Sequence, residues 1–407
     1  MSKKTIAVLA ALTAASLSAM ADAREDALRA SLLDVFTKSA EHYRALESAA
    51  SALMDKGPGG TKQMPYGYNR AKRELDMRPL DWWTNGHFPG ALWYLYEATG
   101  DEFFKDRALV WTGLLEPNKW NRSHHDVGFI MYCSFGNARR LLKTDAFDDI
   151  LLETAKTLST RFNEKLGLIR SWGMPDDKDN FFVIPDNMMN LELLEWAAKN
   201  GGNGERFDMI ARSHASTTMR HHFRKDGGTY HVLNYDQRPD FLGVVQEVRR
   251  GQGLSCETAW SRGQAWAIYG YTMMYRETGD KAYLEFAQKV SDYAINHPNM
   301  PEDGVPYWDF GAPGQERDSS AAAIMASALL ELSGFVGGER GARYRGFAVK
   351  QLTSLASPEY FSKGDEIGHW LLKHGVAHKP GYEEVDSPLN YGDYYFLEAL
   401  LRFRRIK

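Results

Sequence analysis

The sequence predicts an all-α fold, a closed toroid of six helical hairpins in one domain, and three observations lead there. Beyond residue 24, apolar residues recur at three- and four-residue steps, as in Ala23–Phe36, which marks helices with one buried face. No alternation of strand and helix accompanies them, which argues against an α/β sheet. The third observation is an internal echo: "YEATGDEFF" (Tyr96–Phe104) returns as "YRETGDKAY" (Tyr275–Tyr283). In each copy Gly suits the left-handed position that ends one helix, and Asp suits the cap of the next. "AAKNGGNGERF" (Ala197–Phe207) reads as a third tight hairpin. A right-handed α-solenoid is the competitor, but the repeat is weak and the loops are uneven.

Taken in order, the periodicity places helices at about 25–55, 87–98, 102–115, 127–143, 146–163, 187–199, 204–222, 260–277, 280–296, 318–335, 340–356 and 390–404. Lys56–Arg70, rich in Gly and Pro, reads as a loop, and Tyr230–Tyr235 as a short extended run. No Pro/Ser-rich linker divides residues 22–407, so they make a single domain. Ahead of them, Lys3, Lys4, an apolar run from Thr5 to about Leu17 and small residues at Ala19 and Ala21 form an export signal over 1–21. The run is too short, and too rich in Ala, Ser and Thr, to span a membrane. Cleavage is expected after Ala21, with Ala23 the alternative, and no Cys near the cut suggests a lipid anchor. A periplasmic protein without membrane insertion is the expectation.

A net charge of −4 on 407 residues, with no basic stripe, gives no reason to expect a nucleic-acid partner. Aromatic residues reach 13%, including 11 Trp and 20 Tyr, and these either stack on sugar rings or fill a large core. The two cysteines, Cys133 and Cys256, are expected reduced within the core. There is no P-loop, no G-x-S-x-G elbow, no H-E-x-x-H and no G-x-G-x-x-G after a strand, so no cofactor is expected. The run His124-His125-Asp126 lacks a second ligand pair at i, i+4, and no metal is expected there either.

What remains is a set of polar residues at helix starts among aromatics. Asp126 precedes "VGFIMYCSFGNARRLL", and Asp186 follows Pro185 before "NMMNLELLEWAAK". Gln252, Trp260, Arg262, Gln264 and Trp266 surround another start, with His231 in the extended run, Trp172 in "IRSWGMP" and Trp83 in "DWWTNGHFPG". Each Asp on its own reads as an N-cap, stabilising its helix by about 1 kcal/mol. Together, two carboxylates, a His and several Trp exceed what caps require, and paired carboxylates are the equipment of glycosidases. A helix start favours the anion, whereas a general acid must hold its proton. Burial against aromatics and the charge of a second Asp are the two effects that would reverse the sign.

Six ordered blocks carry a resemblance to the unsaturated glucuronyl hydrolases, glycoside hydrolase family 88. They are "DWWTNGHFPGALWYLYEATGD", "HHDVGFIMYCSFGNARRLL", "IPDNMMNLELLEWAAK", "QGLSCETAWSRGQAWAIYGYTMMYRETGD", "VPYWDFGAPGQERDSSAAAIMASALLEL" and "EVDSPLNYGDYYFLEALLR". The resemblance implies an (α/α)6 barrel that acts on oligosaccharides ending in a 4,5-unsaturated uronic acid, by hydrating the C4=C5 bond. It implies Asp186 as general acid/base and Asp126 as the second essential carboxylate. It implies His231, Gln252 and Arg262 as polar contacts around the unsaturated ring, with the Arg262 fork suited to its carboxylate, and His125 beside them. Trp83, Trp172, Trp260 and Trp266 are implied as pocket walls. His87 departs from the pattern, standing where relatives usually carry an aromatic residue. Lys379, near His374 and His378, lies where some relatives meet substrate sulfate, or in a solvated basic loop. An unsaturated uronyl oligosaccharide is the expected ligand of a monomer or weak homo-oligomer. An unsaturated rhamnogalacturonyl hydrolase is the nearest alternative, and a non-catalytic glycan-binding protein the alternative of another class.

Overall fold

Gly100 and Gly279 end their helices as the internal echo requires, at φ 70° and 68°. Asp101 and Asp280 then accept the amide protons of Phe103 and Ala282 at 3.0 and 2.9 Å, so each chain reversal needs two residues. The computed structural model describes the backbone of residues 3–406 and the side chains of 22–406. The expected export signal, 1–21, lies outside the described side chains.

Helices alternate between an outer and an inner layer. The outer layer holds α1 (Lys3–Ser51), α3 (Glu102–Gly113), α6 (Asp148–Ser159), α8 (Gly204–His221), α10 (Lys281–Asn296) and α12 (Gly338–Leu355). The inner layer holds α2 (His87–Thr99), α4 (Val127–Met131) continued by α5 (Asn137–Leu142), α7 (Leu191–Asn200), α9 (Ser261–Thr278), α11 (Ser319–Val336) and α13 (Asn390–Arg405). Each inner rod packs on the next and α13 returns to α2, closing an (α/α)6 barrel. The helix α11 is long and apolar enough to cross a bilayer, yet its apolar surface is buried against α9, α12 and α13.

Alternation makes all six inner rods parallel. Their C-terminal ends lead through tight turns to the outer layer, and their N-terminal ends receive the longer connections. Those connections carry the strands: β1 (Gln63–Asn69) with β2 (Glu74–Pro79), β3 (Phe162–Asn163) with β4 (Leu168–Ile169), a sheet of β5 (Phe182–Val183), β6 (Val232–Tyr235) and β7 (Val245–Arg249), and β8 (Gly375–His378) with β9 (Glu383–Ser387). Two expectations are corrected here. Lys56–Arg70 is not all loop, because β1 lies within it; Pro65, which has no N–H for the ladder, sits at an irregularity between Pro65 and Gly67. The basic segment around Lys379 is a β-hairpin turn rather than an unstructured loop. Of the cysteines, both free, Cys133 is buried but Cys256 is only half-buried, its thiol directed at the Val248 carbonyl at 3.3 Å.

The expected helix 127–143 is interrupted by a π-turn at Tyr132–Gly136, and the expected helix 187–199 opens as a 3-10 turn, Pro185–Asn190. Both irregularities fall on the rods that carry the two Asp residues. Close approach between rods also fixes glycines. A Cβ on Gly86 would collide with the carbonyl oxygens of Phe129 and Ile130. Gly86→Ala is therefore expected to cost about 1–3 kcal/mol, measured as the loss in a denaturant or thermal melt.

Candidate functional site

The N-terminal ends of the inner rods meet at one mouth of the barrel, and the residues singled out from sequence gather there. Asp126 immediately precedes α4, and Asp186 is the second residue of the Pro185–Asn190 turn. Neither side chain caps its helix. The cap position of the 3-10 turn belongs to Ile184, and Pro185 needs no donor satisfied. The capping expectation is thus overturned for both, and both carboxylates are left for other work. They are 7% and 4% exposed.

The two segments are fastened to each other. Asn190 Oδ1 accepts the Phe129 amide proton at 2.9 Å, and Gly128 lies so close to Asn190 that a side chain there would clash. Asn187 Nδ2 donates to the Ile169 carbonyl at 2.8 Å, tying the 3-10 turn to β4.

Their environments push the carboxylates apart. Burial raises the pKa of Asp186 to about 7, against the opposing Arg262 charge; Asp126 raises it further, while its own amide and the Trp266 indole N–H lower it. Burial also acts on Asp126, but His125, His124 and Arg161 overcome it and hold that carboxyl below its usual value. His125 Nε2 and His124 Nδ1 stand 3.3 and 3.5 Å from its oxygens. Near neutrality Asp186 thus shares its population between acid and anion beside an ionised Asp126, the division of roles that acid/base chemistry needs.

His231 completes the centre. Its Nδ1 lies 2.9 Å from the Gln252 amide nitrogen and 3.3 Å from the Arg250 carbonyl oxygen, and its Nε2 stands 3.9 Å from Asp186 Oδ2. Burial lowers its pKa to about 3, and the imidazole is neutral. The ring lies on Trp260 with centroids 4.3 Å apart. Trp266 is fully buried in the floor against Phe129 at 5.1 Å. Trp83 packs on Tyr391 at 5.3 Å, and Trp172, 39% exposed, stands at the rim beside Phe182. His87 keeps an aromatic role: fully buried, it sits among Phe129, Tyr391, Tyr394 and Tyr395, and burial lowers its pKa to about 4.

Three expectations are revised by what the side chains touch. Arg262 is fully buried and its fork is already engaged. It donates to the Val376 carbonyl and, at 2.8 Å, to the Ala377 carbonyl, with Asp318 Oδ2 3.5 Å away. The Gln252 side chain donates to the same Ala377 carbonyl at 2.8 Å. Both hold β8 rather than presenting free donors to a ligand carboxylate. Lys379 is paired with Glu316, so its ammonium is not a free cation.

Sequence reading passed over Asn187, Asn190, Asp318 and Tyr391. Asp318 had a readable signal, an acid followed by Ser-Ser ahead of an apolar run, and it does cap α11 through Ser320 N at 3.0 Å. Tyr391 had none beyond its aromatic neighbours.

Polar satisfaction separates this mouth from the opposite one. Asp186 Oδ2, His231 Nε2 and Tyr391 OH are buried without hydrogen-bond partners. Such groups are rare in folded chains and mark places where a ligand or water completes the bonding. A cavity of about 1190 Å³ lies at the C-terminal ends of the inner rods. Its charges satisfy one another: Arg276 pairs with Glu192 at 2.5 Å and Glu331 at 2.9 Å, and Arg402 with Glu331 at 2.6 Å. The mouth that holds Asp126 and Asp186 is the one left with unsatisfied polar groups.

No family model matches the chain. It is similar to the unsaturated glucuronyl hydrolase of Formosa agariphila, 43% identical over 369 residues that cover 89% of this chain and 90% of that protein. It is 34% identical over 329 residues to the unsaturated chondroitin disaccharide hydrolase of Streptococcus pyogenes serotype M1, covering 79% and 81%. The crystal structure of an unsaturated glucuronyl hydrolase specific for heparin superposes with a TM-score of 0.82 at 40% identity, over 91% of this chain and 96% of that one. Sequence and barrel agree, and the chain belongs to the unsaturated glucuronyl hydrolases, a family of glycoside hydrolases.

Proposed function

We propose that this hydrolase releases 4,5-unsaturated uronic acid from the non-reducing end of lyase-generated glycosaminoglycan disaccharides, with Asp186 as general acid/base. The observation that carries the reading is the group of buried, unpartnered polar atoms around a partly protonated Asp186 and an ionised Asp126. In this reaction Asp186 gives its proton to C4 of the alkene as water adds to C5, and the Asp186 carboxylate takes the proton that the water loses. The product is a C5 hemiketal, which opens and frees the sugar attached at C1. Asp126 holds ring hydroxyls and, by its charge, keeps the proton on Asp186 until the alkene accepts it. His231 presents its Nε2 to the ring, and the parallel inner helices direct their positive ends toward a substrate carboxylate.

Relatives named for heparin and for chondroitin disaccharides support the substrate class. The expected export signal over 1–21 supports a periplasmic site of action.

The test follows the ultraviolet absorbance of the alkene in unsaturated chondroitin and heparin disaccharides, with and without sulfate. Turnover with release of the second sugar is expected; a chain that binds these sugars and leaves the alkene intact would be a binding protein instead. The pH profile follows from the acid. Asp186 is active protonated, so kcat/KM should fall as pH rises through about 7. Asp126, active as the anion and held below its usual value, keeps activity into the acid range. An alkaline limb well above 8 would contradict the role given to Asp186.

A further inference from the structure

Asp318 divides its two oxygens between two tasks. Oδ1 caps α11, accepting from Ser320 N at 3.0 Å, Ser320 Oγ at 2.6 Å and Ala321 N at 3.4 Å, and it also receives Val376 N at 3.4 Å. Oδ2 faces Arg262 Nη1 at 3.5 Å, and both side chains are fully buried. The guanidinium also lies over Trp260, 4.3 Å from the ring centre, and the tilted His231 ring lies with its centroid 4.3 Å from that of the same tryptophan. His231 in turn reaches Asp186 at 3.9 Å. A contiguous path of packed groups thus runs from the cap of α11 to the proposed acid.

We propose that Asp318 is a positioning residue for the reaction: paired with Arg262, it neutralises part of that buried charge and so sets how strongly the guanidinium draws the proton off Asp186. The inference rests on Asp186 being the proton donor. Two charged neighbours of Asp186 act in opposite directions, Arg262 from α9 and Asp126 from α4. Its other polar neighbours are the neutral His231, Trp266 from α9 and Tyr391 from α13. Around Arg262 stand Asp318 from α11, Tyr391 from α13, Tyr66 from β1 and His231. Asp318 is the carboxylate in direct contact with it. In a dry interior an uncompensated cation acts at longer range than in water, so the charge of Asp318 reaches Asp186 through Arg262.

Asp318→Asn keeps an oxygen for the cap and removes the charge, and Asp318→Ser keeps a good capping residue without the charge. Both are expected to move the alkaline limb of kcat/KM to lower pH by about one unit, with KM for an unsaturated disaccharide little changed. Ser320→Ala removes one bond to the same carboxylate but leaves its charge, and its limb should coincide with that of the wild type. The proposal is overturned if the uncharged variants keep the wild-type limb, if Ser320→Ala shifts it equally, or if both uncharged variants fail to fold, which would make the pair purely structural. Failure of the underlying reading looks different: Asp186→Asn would remain active, whatever Asp318 does.

Discussion

Asp186→Asn is expected to reduce kcat by about 10³-fold while an unsaturated disaccharide still binds. The amide has the shape of the carboxyl, but it neither gives a proton to C4 nor takes one from water. The turn Pro185–Asn190 is held by Asn187 and Asn190, not by Asp186, whose side chain makes no cap bond, so the fold should be unaffected. The measurement is loss of alkene absorbance at saturating substrate, beside a calorimetric or fluorescence titration of the same disaccharide. Unchanged kcat in this variant would remove Asp186 from the chemistry.

Asp126→Asn has the second largest effect, a loss in kcat/KM of roughly 10- to 100-fold. The figure corresponds to the 1.5–3 kcal/mol of hydrogen bonds to a charged group. It should also show in the pH profile. The Asp126 charge raises the proton affinity of Asp186, so its removal moves the alkaline limb to lower pH. The shift has the same sign as that expected for Asp318→Asn, since each variant takes one negative charge from around the acid. An alkaline limb that moved upward in Asp126→Asn would contradict the electrostatic account of the pair.

The barrel was legible because its hairpins are written locally. Gly100-Asp101 and Gly279-Asp280 each contain both the left-handed stop and the next cap, and neither depends on distant residues. The site was legible as a set of residue types at helix starts, and most of that set does converge on one mouth. Less visible were the strands. Gly and Pro punctuate β1 densely, and Met64 to Gly67 are buried in a row, so no alternation marks it as a strand. The interruption of the helix after Asp126, a π-turn at Tyr132–Gly136 in contact with α2, was also not read, because the apolar period runs on through it.

The assignments that changed share one cause. Arg262 and Lys379 were chosen as cations suited to an anionic ligand, and residue type cannot say which acceptor a cation meets first. In the folded chain β8 brings two carbonyls to Arg262, and Glu316 reaches Lys379. His87 changed in the other direction. A residue that departs from the family pattern proves to pack as a neutral ring within an aromatic cage.

By itself the sequence indicated the helices and their tight turns, which rest on contacts a few residues apart, and, through quoted motifs, the barrel and the two candidate carboxylates. Only the tertiary structure decided which carboxylate keeps its proton. Asp126 and Asp186 are chemically alike and both stand at helix starts. What separates them is the company the fold assigns: two histidines and Arg161 around Asp126, and deep burial beside a charged Asp126 around Asp186. Burial and Coulomb interactions act through space, and no local stretch of sequence contains them.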